Sequence, residues 1–290
     1  MDFAVVMKVN ATKVNAWVDG RLVGAAEPSL RVVDHGVTVG DGVFETTKLV
    51  DGHPFALTRH LARLDLSVAG LGLPPVDHDR IHEGVKAVLG AAEPIAFGRL
   101  RITLTGGIGP LGSDRADGDL TYIVTSVAQA RPAASGKITV VPWTRNERGA
   151  TAGLKTTSYA ENVIALAAAK KVGAMEAVLA NTRGELCECT GSNLFVVIDG
   201  IVLTPPGDSG LLRGITRGLV LEWGREAGVP IREEALPLDV LRTADEVFLT
   251  SSIKDVYPVH AVDDRELAPG PVTAHLAEVF AARAAQDLDP

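Results

Sequence analysis

Residues 153–163 read GLKTTSYAENV, and their setting decides how the second half of the chain folds. An apolar strand, Ile138–Pro142, precedes them, and an Ala-rich run to Lys171 follows. Ser158 and Glu161 match the S-x-x-E pattern of a capping box, so the spacing predicts a helix starting at Tyr159 and closed by Gly173. Lys155 then lies in a strand-to-helix loop among Gly153, Leu154 and hydroxyl residues. Two readings of it stand. It is a loop lysine with its head in water, as most lysines are. Or it is an amine near helix amides and away from carboxylates, with a depressed pKa, able to attack an aldehyde.

Outward from this loop the pattern alternates between strand and helix. Downstream, strands are predicted at Ala177–Ala180, Leu186–Thr190, Leu194–Ile198 and Ile201–Thr204, the last two joined by Asp199-Gly200. Helices are predicted at 216–227, 238–242 and 272–286. Upstream, Asp19-Gly20 and Asp51-Gly52 each mark a hairpin. Thr58 is placed as the cap of a helix bearing Leu61, Leu64, Val68 and Leu71, which ends in the Gly70 to Pro74 stretch. A second helix at 79–89 and strands at 99–105 and 120–127 complete this part. The Pro-containing segment from Gln129 to Gly136 is the best linker, which divides the chain into a smaller α+β domain (1–128), a linker (129–136) and a larger domain (137–290). The expected fold class is α+β, with a ligand cleft between two domains.

Composition narrows the function classes. With 290 residues, 46% of them hydrophobic and 22% charged, the chain has the profile of an ordinary globular protein. A net charge of −8 and a pI of about 5.4, with no Lys/Arg cluster, argue against nucleic acid as a partner. No run approaches the roughly 18 apolar residues of a membrane span, and the opening MDFAVVMKVNATKV lacks the apolar core of a signal peptide. The cysteines, Cys187 and Cys189, alternate along one strand and have no histidine neighbours, so neither a mutual disulfide nor a zinc site is expected. A reducing cytoplasm fits this usage.

Several other residues could carry chemistry. Glu188 lies in the largely apolar Leu186-Cys-Glu-Cys-Thr, either on the wet face of a one-sided sheet or buried with a partner. In Leu212-Arg-Gly-Ile-Thr-Arg, Gly214 precedes a helix whose first residues, Ile215 and Thr216, present amides and a hydroxyl suited to an anion. Ser252 belongs to the hydroxyl-rich Thr250-Ser-Ser after a strand, and Arg63 falls on the polar side of its helix.

In order along the chain, these segments resemble the motifs of the class IV aminotransferase family, the pyridoxal-phosphate enzymes of fold type IV. Asp34-His-Gly-Val-Thr-Val-Gly-Asp-Gly-Val-Phe-Glu-Thr is similar to the family's D-x-G-x-x-x-G-D-G-V-F-E-T, and His60-Leu-Ala-Arg-Leu to its H-x-x-R-L. Glu188-Cys-Thr-Gly-Ser-Asn-Leu-Phe resembles E-G-x-x-S-N-x-F, with Cys189 where glycine is usual. Leu212–Arg217 and Asp245–Val259 are similar to the last two motifs. The resemblance implies that pyridoxal phosphate is bound through Lys155, with Glu188 at the pyridinium nitrogen and Arg63, Ile215, Thr216 and Ser252 at the phosphate. It also implies that Asn193 braces the Glu188 turn, that Tyr159 lines the ring edge or packs in the core, and that the enzyme is a homodimer.

The same resemblance bears on the reaction. Branched-chain members usually carry F-E-G-I-R, where this chain has Phe44-Glu-Thr-Thr-Lys. D-amino-acid members place an arginine in the T-R-G turn, which here reads Thr105-Gly-Gly, and the tyrosine before G-D-G is replaced by Val39. The segment Lys-Thr-Thr-Ser-Tyr-Ala-Glu-Asn, with the preceding Arg145-Asn-Glu, looks most like the 4-amino-4-deoxychorismate lyase branch, which eliminates pyruvate to give 4-aminobenzoate. The alternatives are an aminotransferase pairing a branched-chain, D-amino acid or other small amine with a 2-oxo acid, and a non-catalytic ligand-binding protein on the same fold. Val39, Arg99, Arg101, Arg115 and Arg145 are the candidates for holding the substrate.

Overall fold

The computed structural model describes residues 14–268 and 270–290; the opening segment read above for a signal peptide lies largely outside them. The first sheet grows from the two hairpins. Asp19 (φ 45°) with Gly20 (φ 95°), and Asp51 (φ 48°) with Gly52 (φ 79°), adopt the paired left-handed conformations of a two-residue hairpin turn. The first turn joins β1 (Asn15–Val18) to β2 (Arg21–Gly24). After a short capped helix, α1 (His35–Thr38), the second joins β3 (Gly42–Val50) to β4 (His53–Pro54). Two helices follow, α2 (Leu57–Leu71) and α3 (His78–Gly90), then β5 (Phe97–Thr105) and β6 (Thr121–Ala128). The strands assemble antiparallel in the order β2-β1-β6-β5-β3-β4. Leu64 of α2 and Ile81 of α3 join Trp17, Leu100 and Leu104 in its core. At Gly84 the helix lies so close to the sheet that a Cβ would sit 2.7 Å from Trp17.

The segment 129–135 leads to a second, nine-stranded mixed sheet, which Gly136 already belongs to. It starts with β7 (Gly136–Arg145), α4 (Ala160–Lys171), β8 (Glu176–Asn181), β9 (Leu186–Cys189), β10 (Asn193–Ile198) and β11 (Ile201–Thr204). Next come α5 (Ile215–Glu226), β12 (Ile231–Glu233), β13 (Glu246–Ser251), β14 (Asp255–Val262), β15 (Arg265–Glu266) and α6 (Pro271–Gln286). The main path runs β12-β11-β10-β13-β14-β7-β8-β9, with β15 on β14. Phe280 of α6 packs on Trp223 of α5 and on Phe55, at centroid distances of 5.2 and 6.0 Å, which ties the helical layer to the first sheet. No helix among the described residues is long and apolar enough to cross a membrane.

Two caps read from the sequence are replaced by longer-range contacts. Helix α2 starts at Leu57 behind Ala56, with no side-chain cap from its own N-cap residue, and the Thr58 hydroxyl donates to Asp289 instead. At α4 the N-cap is Tyr159, and the Ser158 hydroxyl donates to the Gly40 carbonyl (3.0 Å) rather than closing a box with Glu161. That contact belongs to a seam between the two sheets. Phe44 donates its amide to the Lys155 carbonyl (3.0 Å), Thr157 donates to Gly42 (2.8 Å), and Lys155 donates its own amide to Ser67 Oγ of α2 (3.2 Å). The lysine loop is thereby held against β3 and α2.

Candidate active site

A cleft of about 440 Å3 opens along this seam. Phe44, Arg63, Arg99 and Arg101 line it from the first sheet and its helices; Lys155, Tyr159, Glu188, Asn193, Ile215, Thr216 and Ser252 line it from the second. Val39 and Arg145 are not among the lining residues. Val39 is exposed and borders a separate depression with Arg115, while Arg145 lies behind Glu188.

Lys155 is half-buried, with Nζ 4.5 Å from the centroid of the Phe44 ring. Among the described residues no carboxylate lies within ion-pair distance of that amine. Burial first, then the charge of Arg63, lowers its pKa to about 8, against a partial upward pull from Glu45 and Glu188. A sizeable fraction of the amine is therefore neutral near physiological pH, as a nucleophile or base requires.

At one end of the cleft stands Glu188. All four residues of β9 are buried, which rules out a wet face for this strand. One carboxylate oxygen accepts from the Leu212 amide (3.0 Å) and distantly from Asn193 Nδ2 (3.4 Å). Among the described residues the other has only Arg145 Nε at 3.4 Å, and that buried N–H makes no hydrogen bond with any of them. Burial pushes the Glu188 carboxyl up, against the downward pull of Arg145 and the Leu212 bond. Asn193 also donates to the Leu212 carbonyl (2.8 Å), fixing the segment that meets Glu188. Tyr159 packs edge-on against Phe44. A carboxylate with spare acceptor capacity in a cleft suits a protonated heteroaromatic nitrogen.

At the other end, donors converge. Gly214 is the N-cap of α5, and a Cβ there would stand 2.0 Å from Asn193 Oδ1. The first amides of the helix, at Ile215 and Thr216, have no intrahelical acceptors and face the cleft with the positive end of the helix dipole. Arg63 does not lie on a solvated face; it is buried, donating Nε and Nη2 to Glu45 (2.7 Å each) and Nη1 to the Arg213 carbonyl (3.0 Å). His60 Nδ1 is 2.6 Å from Glu45 Oε2, and its Nε2 is 3.4 Å from Ser252 Oγ. Burial lowers the pKa of His60, so the neutral ring donates through Nδ1 to the carboxylate. Burial raises the Glu45 carboxyl, but Arg63 and His60 outweigh it and hold it at about 2. The buried Thr250 hydroxyl on the cleft wall has no partner among the described residues. Free helix amides, a guanidinium, Ser252 and this orphan hydroxyl fit a phosphate group.

Sequence reasoning passed over Glu45, although it stands in the Phe-Glu-Thr motif, and passed over His60 as a functional residue. It also missed Glu176, which accepts from Ser192 Oγ (2.6 Å), the Gly191 amide (2.7 Å), Thr190 Oγ1 (3.2 Å) and Lys254 Nζ. This cluster ties the turn after Glu188 to the turn bearing Ser252. The side wall adds Arg99 and Arg101, neither with a carboxylate partner among the described residues; the Arg101 guanidinium lies 3.7 Å from the Phe44 centroid.

Comparison with known proteins identifies the family. Residues 42–262, from the start of β3 to the end of β14, match the family model for amino-transferase class IV. The chain is 32% identical over 274 residues to a putative branched-chain-amino-acid aminotransferase of Methanocaldococcus jannaschii, covering 91% of this chain and 94% of the relative. It is 29% identical over 285 residues to a D-alanine aminotransferase of Listeria monocytogenes, covering 91% and 93%. The solved structure of a putative 4-amino-4-deoxychorismate lyase from Legionella pneumophila superposes with a TM-score of 0.82 at 25% identity, over 89% of this chain and 96% of that one. The match runs through both sheets and every element that borders the cleft, and the chain belongs to the class IV aminotransferase family, the pyridoxal-phosphate-dependent enzymes of fold type IV.

Proposed function

We propose that the chain is an aminotransferase that moves the amino group of a carboxylate-bearing amine to a 2-oxo acid. The observation that carries this is Lys155. Its amine, depressed to about 8, stands in a cleft with an unfinished carboxylate at one end and a donor cluster at the other, beside Arg99 and Arg101, which have no carboxylate partner among the described residues. The relatives named above as aminotransferases are matched over nearly their whole length, and this supports transfer.

Bound in this cleft, pyridoxal phosphate supplies an aldehyde for amines and an electron-withdrawing ring that accepts the electron pair left when a substrate carbon loses its proton. Arg63, Ile215, Thr216 and Ser252 hold the phosphate. Glu188 keeps the proton on the ring nitrogen, since a buried carboxylate gains most from a cationic donor. Lys155 Nζ takes the proton from the amine-bearing carbon and returns it, a role its near-neutral pKa suits. Arg99 and Arg101 orient the substrate carboxylate from the side wall. A second copy of the chain is the proposed partner. The segments 30–39 and 108–111 are joined by the Asp34–Ile108 bridge and expose Val32 (86%), Val37 (60%) and Leu111 (80%) together. The two buried free thiols accord with a reducing, cytoplasmic setting.

A second reading, the 4-amino-4-deoxychorismate lyase, has one structural observation in its favour. At Gly106, where D-amino-acid members carry their arginine, a Cβ would stand 2.6 Å from Asp41 Oδ2, and Asp41 is itself held by Arg115. A side chain at this position would have to displace the Asp41 carboxylate from its pair with Arg115, and the chain carries no arginine there. The loaded enzyme should be given branched-chain L-amino acids and D-alanine, with and without 2-oxo acids, and separately aminodeoxychorismate. The proposal expects donor alone to bleach the visible band of the cofactor and a 2-oxo acid to restore it. Release of aminobenzoate and pyruvate with no oxo-acid-dependent turnover would replace it with the lyase.

A further inference from the structure

The helix that brings His60 and Arg63 to the cleft has its N-terminus completed from the opposite end of the chain. Ala56, its N-cap residue, sits at φ 52° and supplies no side-chain cap. Instead Asp289, 231 residues away in sequence, accepts the Thr58 amide at 2.9 Å and the Thr58 hydroxyl at 2.6 Å. The Leu288 carbonyl accepts the Ala56 amide (2.6 Å), and the Pro290 oxygen accepts Arg59 Nε (2.7 Å). The segment is shaped for this by its own turn, in which the Asp289 amide donates to Asp287 Oδ1 (2.9 Å). It leaves α6, which packs through Phe280 on Trp223 of α5, and Arg59 reaches α5 directly through paired bonds to Glu222 (2.8 and 2.9 Å).

These contacts join the two elements that supply the donor end of the cleft from separate parts of the chain. Arg63 comes from α2, and the free amides of Ile215 and Thr216 come from α5. We propose that Asp289 is a positioning residue for the cofactor phosphate: by capping α2 from the α6 side, it sets where Arg63 stands relative to the α5 amides. A carboxylate at a helix N-terminus is favourable in itself, and here it also fixes the first turn, one turn ahead of Arg63. The inference rests on the reading of Arg63 and the α5 N-terminus as the phosphate clamp.

The test uses apo-protein of the full chain, titrated spectroscopically with pyridoxal phosphate and with pyridoxal, which lacks the phosphate, and melted alongside. Asp289→Ala is expected to weaken pyridoxal phosphate about five- to tenfold, the size of a lost cap, and to leave pyridoxal within about twofold of wild type. Asp289→Asn, whose amide oxygen still accepts from Thr58, is expected to recover most of the loss. Equal affinities for Asp289→Ala and wild type, or equal losses for both ligands, would overturn the proposal even with a lowered melting temperature. Arg63→Gln separates the two levels. If it loses pyridoxal phosphate selectively and Asp289→Ala does not, only the positioning role fails; if it shows no selective loss, the phosphate clamp fails with it.

Discussion

Two glutamates are buried in strands on either side of the cleft, and their surroundings are opposite. Glu45, on β3, takes three short bonds from Arg63 and His60, and its carboxyl is held at about 2. Glu188, on β9, has one good bond from the Leu212 amide and two contacts at 3.4 Å, and burial pushes its carboxyl up. The first carboxylate is satisfied by the protein and serves to fix Arg63. The second has acceptor capacity left for a cation the polypeptide does not provide, which is what distinguishes a ligand-facing carboxylate from a structural one at equal burial. Lys155 lies between them and is drawn towards its charged form by both.

If the contrast holds, the two glutamates fail differently when neutralised. Glu188→Gln should have the largest effect on turnover, lowering kcat at least about a hundredfold because the ring nitrogen loses the partner that keeps it protonated, while folding stays near wild type. Stopped-flow or steady-state rates beside a melting curve check this, and a large loss of stability would place Glu188 with the structural carboxylates. Glu45→Gln should cost about 3 kcal/mol of stability in urea unfolding, since it leaves the buried Arg63 without its counter-charge. The pH dependence has a definite sign. A carboxyl held at about 2 against an ordinary 4.5 stabilises the fold above pH 4.5 and loses that contribution as pH falls through 2. The Glu45→Gln variant should therefore show a flatter acid limb than wild type.

Replacing Lys155 should change stability less and in the opposite direction, although its pH slope has the same sign as that of Glu45. Its pKa is lowered from 10.5 to about 8, so between those values the unfolded chain binds more protons than the folded one, and stability rises with pH across that window. Replacing it with methionine should stabilise the apo-protein by about 1 to 3 kcal/mol at pH 7. The gain should shrink as pH rises through 8 towards 10.5, and denaturant midpoints at several pH values read it directly.

The contrast also explains what could be read from the sequence. The Asp-Gly hairpins, the linker segment and the run of helices are local signals, and most elements fall within a few residues of their predicted bounds. Family motifs placed Lys155, Glu188, Asn193, Thr216 and Ser252 around what is a single cleft. What escaped was set by partners distant in sequence. Arg63 reads as a solvated helix arginine because Glu45 lies on another element. Thr58 and Ser158 read as caps because Asp289 and the Gly40 carbonyl, their actual partners, cannot be seen from the flanking residues. Strand alternation left Glu188 free to face water because it does not report that both faces of β9 are covered. The short β12 and β15 are mostly charged and β14 is interrupted by Pro258, so these strands give little periodic signal.

The central claim, that Lys155 is the amine on which this cleft operates, is tested most directly by reducing the pyridoxal-phosphate-loaded enzyme with borohydride, digesting it and mapping the modified peptide. The account predicts the label on Lys155, with loading that rises through an apparent pKa near 8. Label on Lys254 or Lys48, or a Lys155→Ala variant that is still labelled to the wild-type extent, would contradict it.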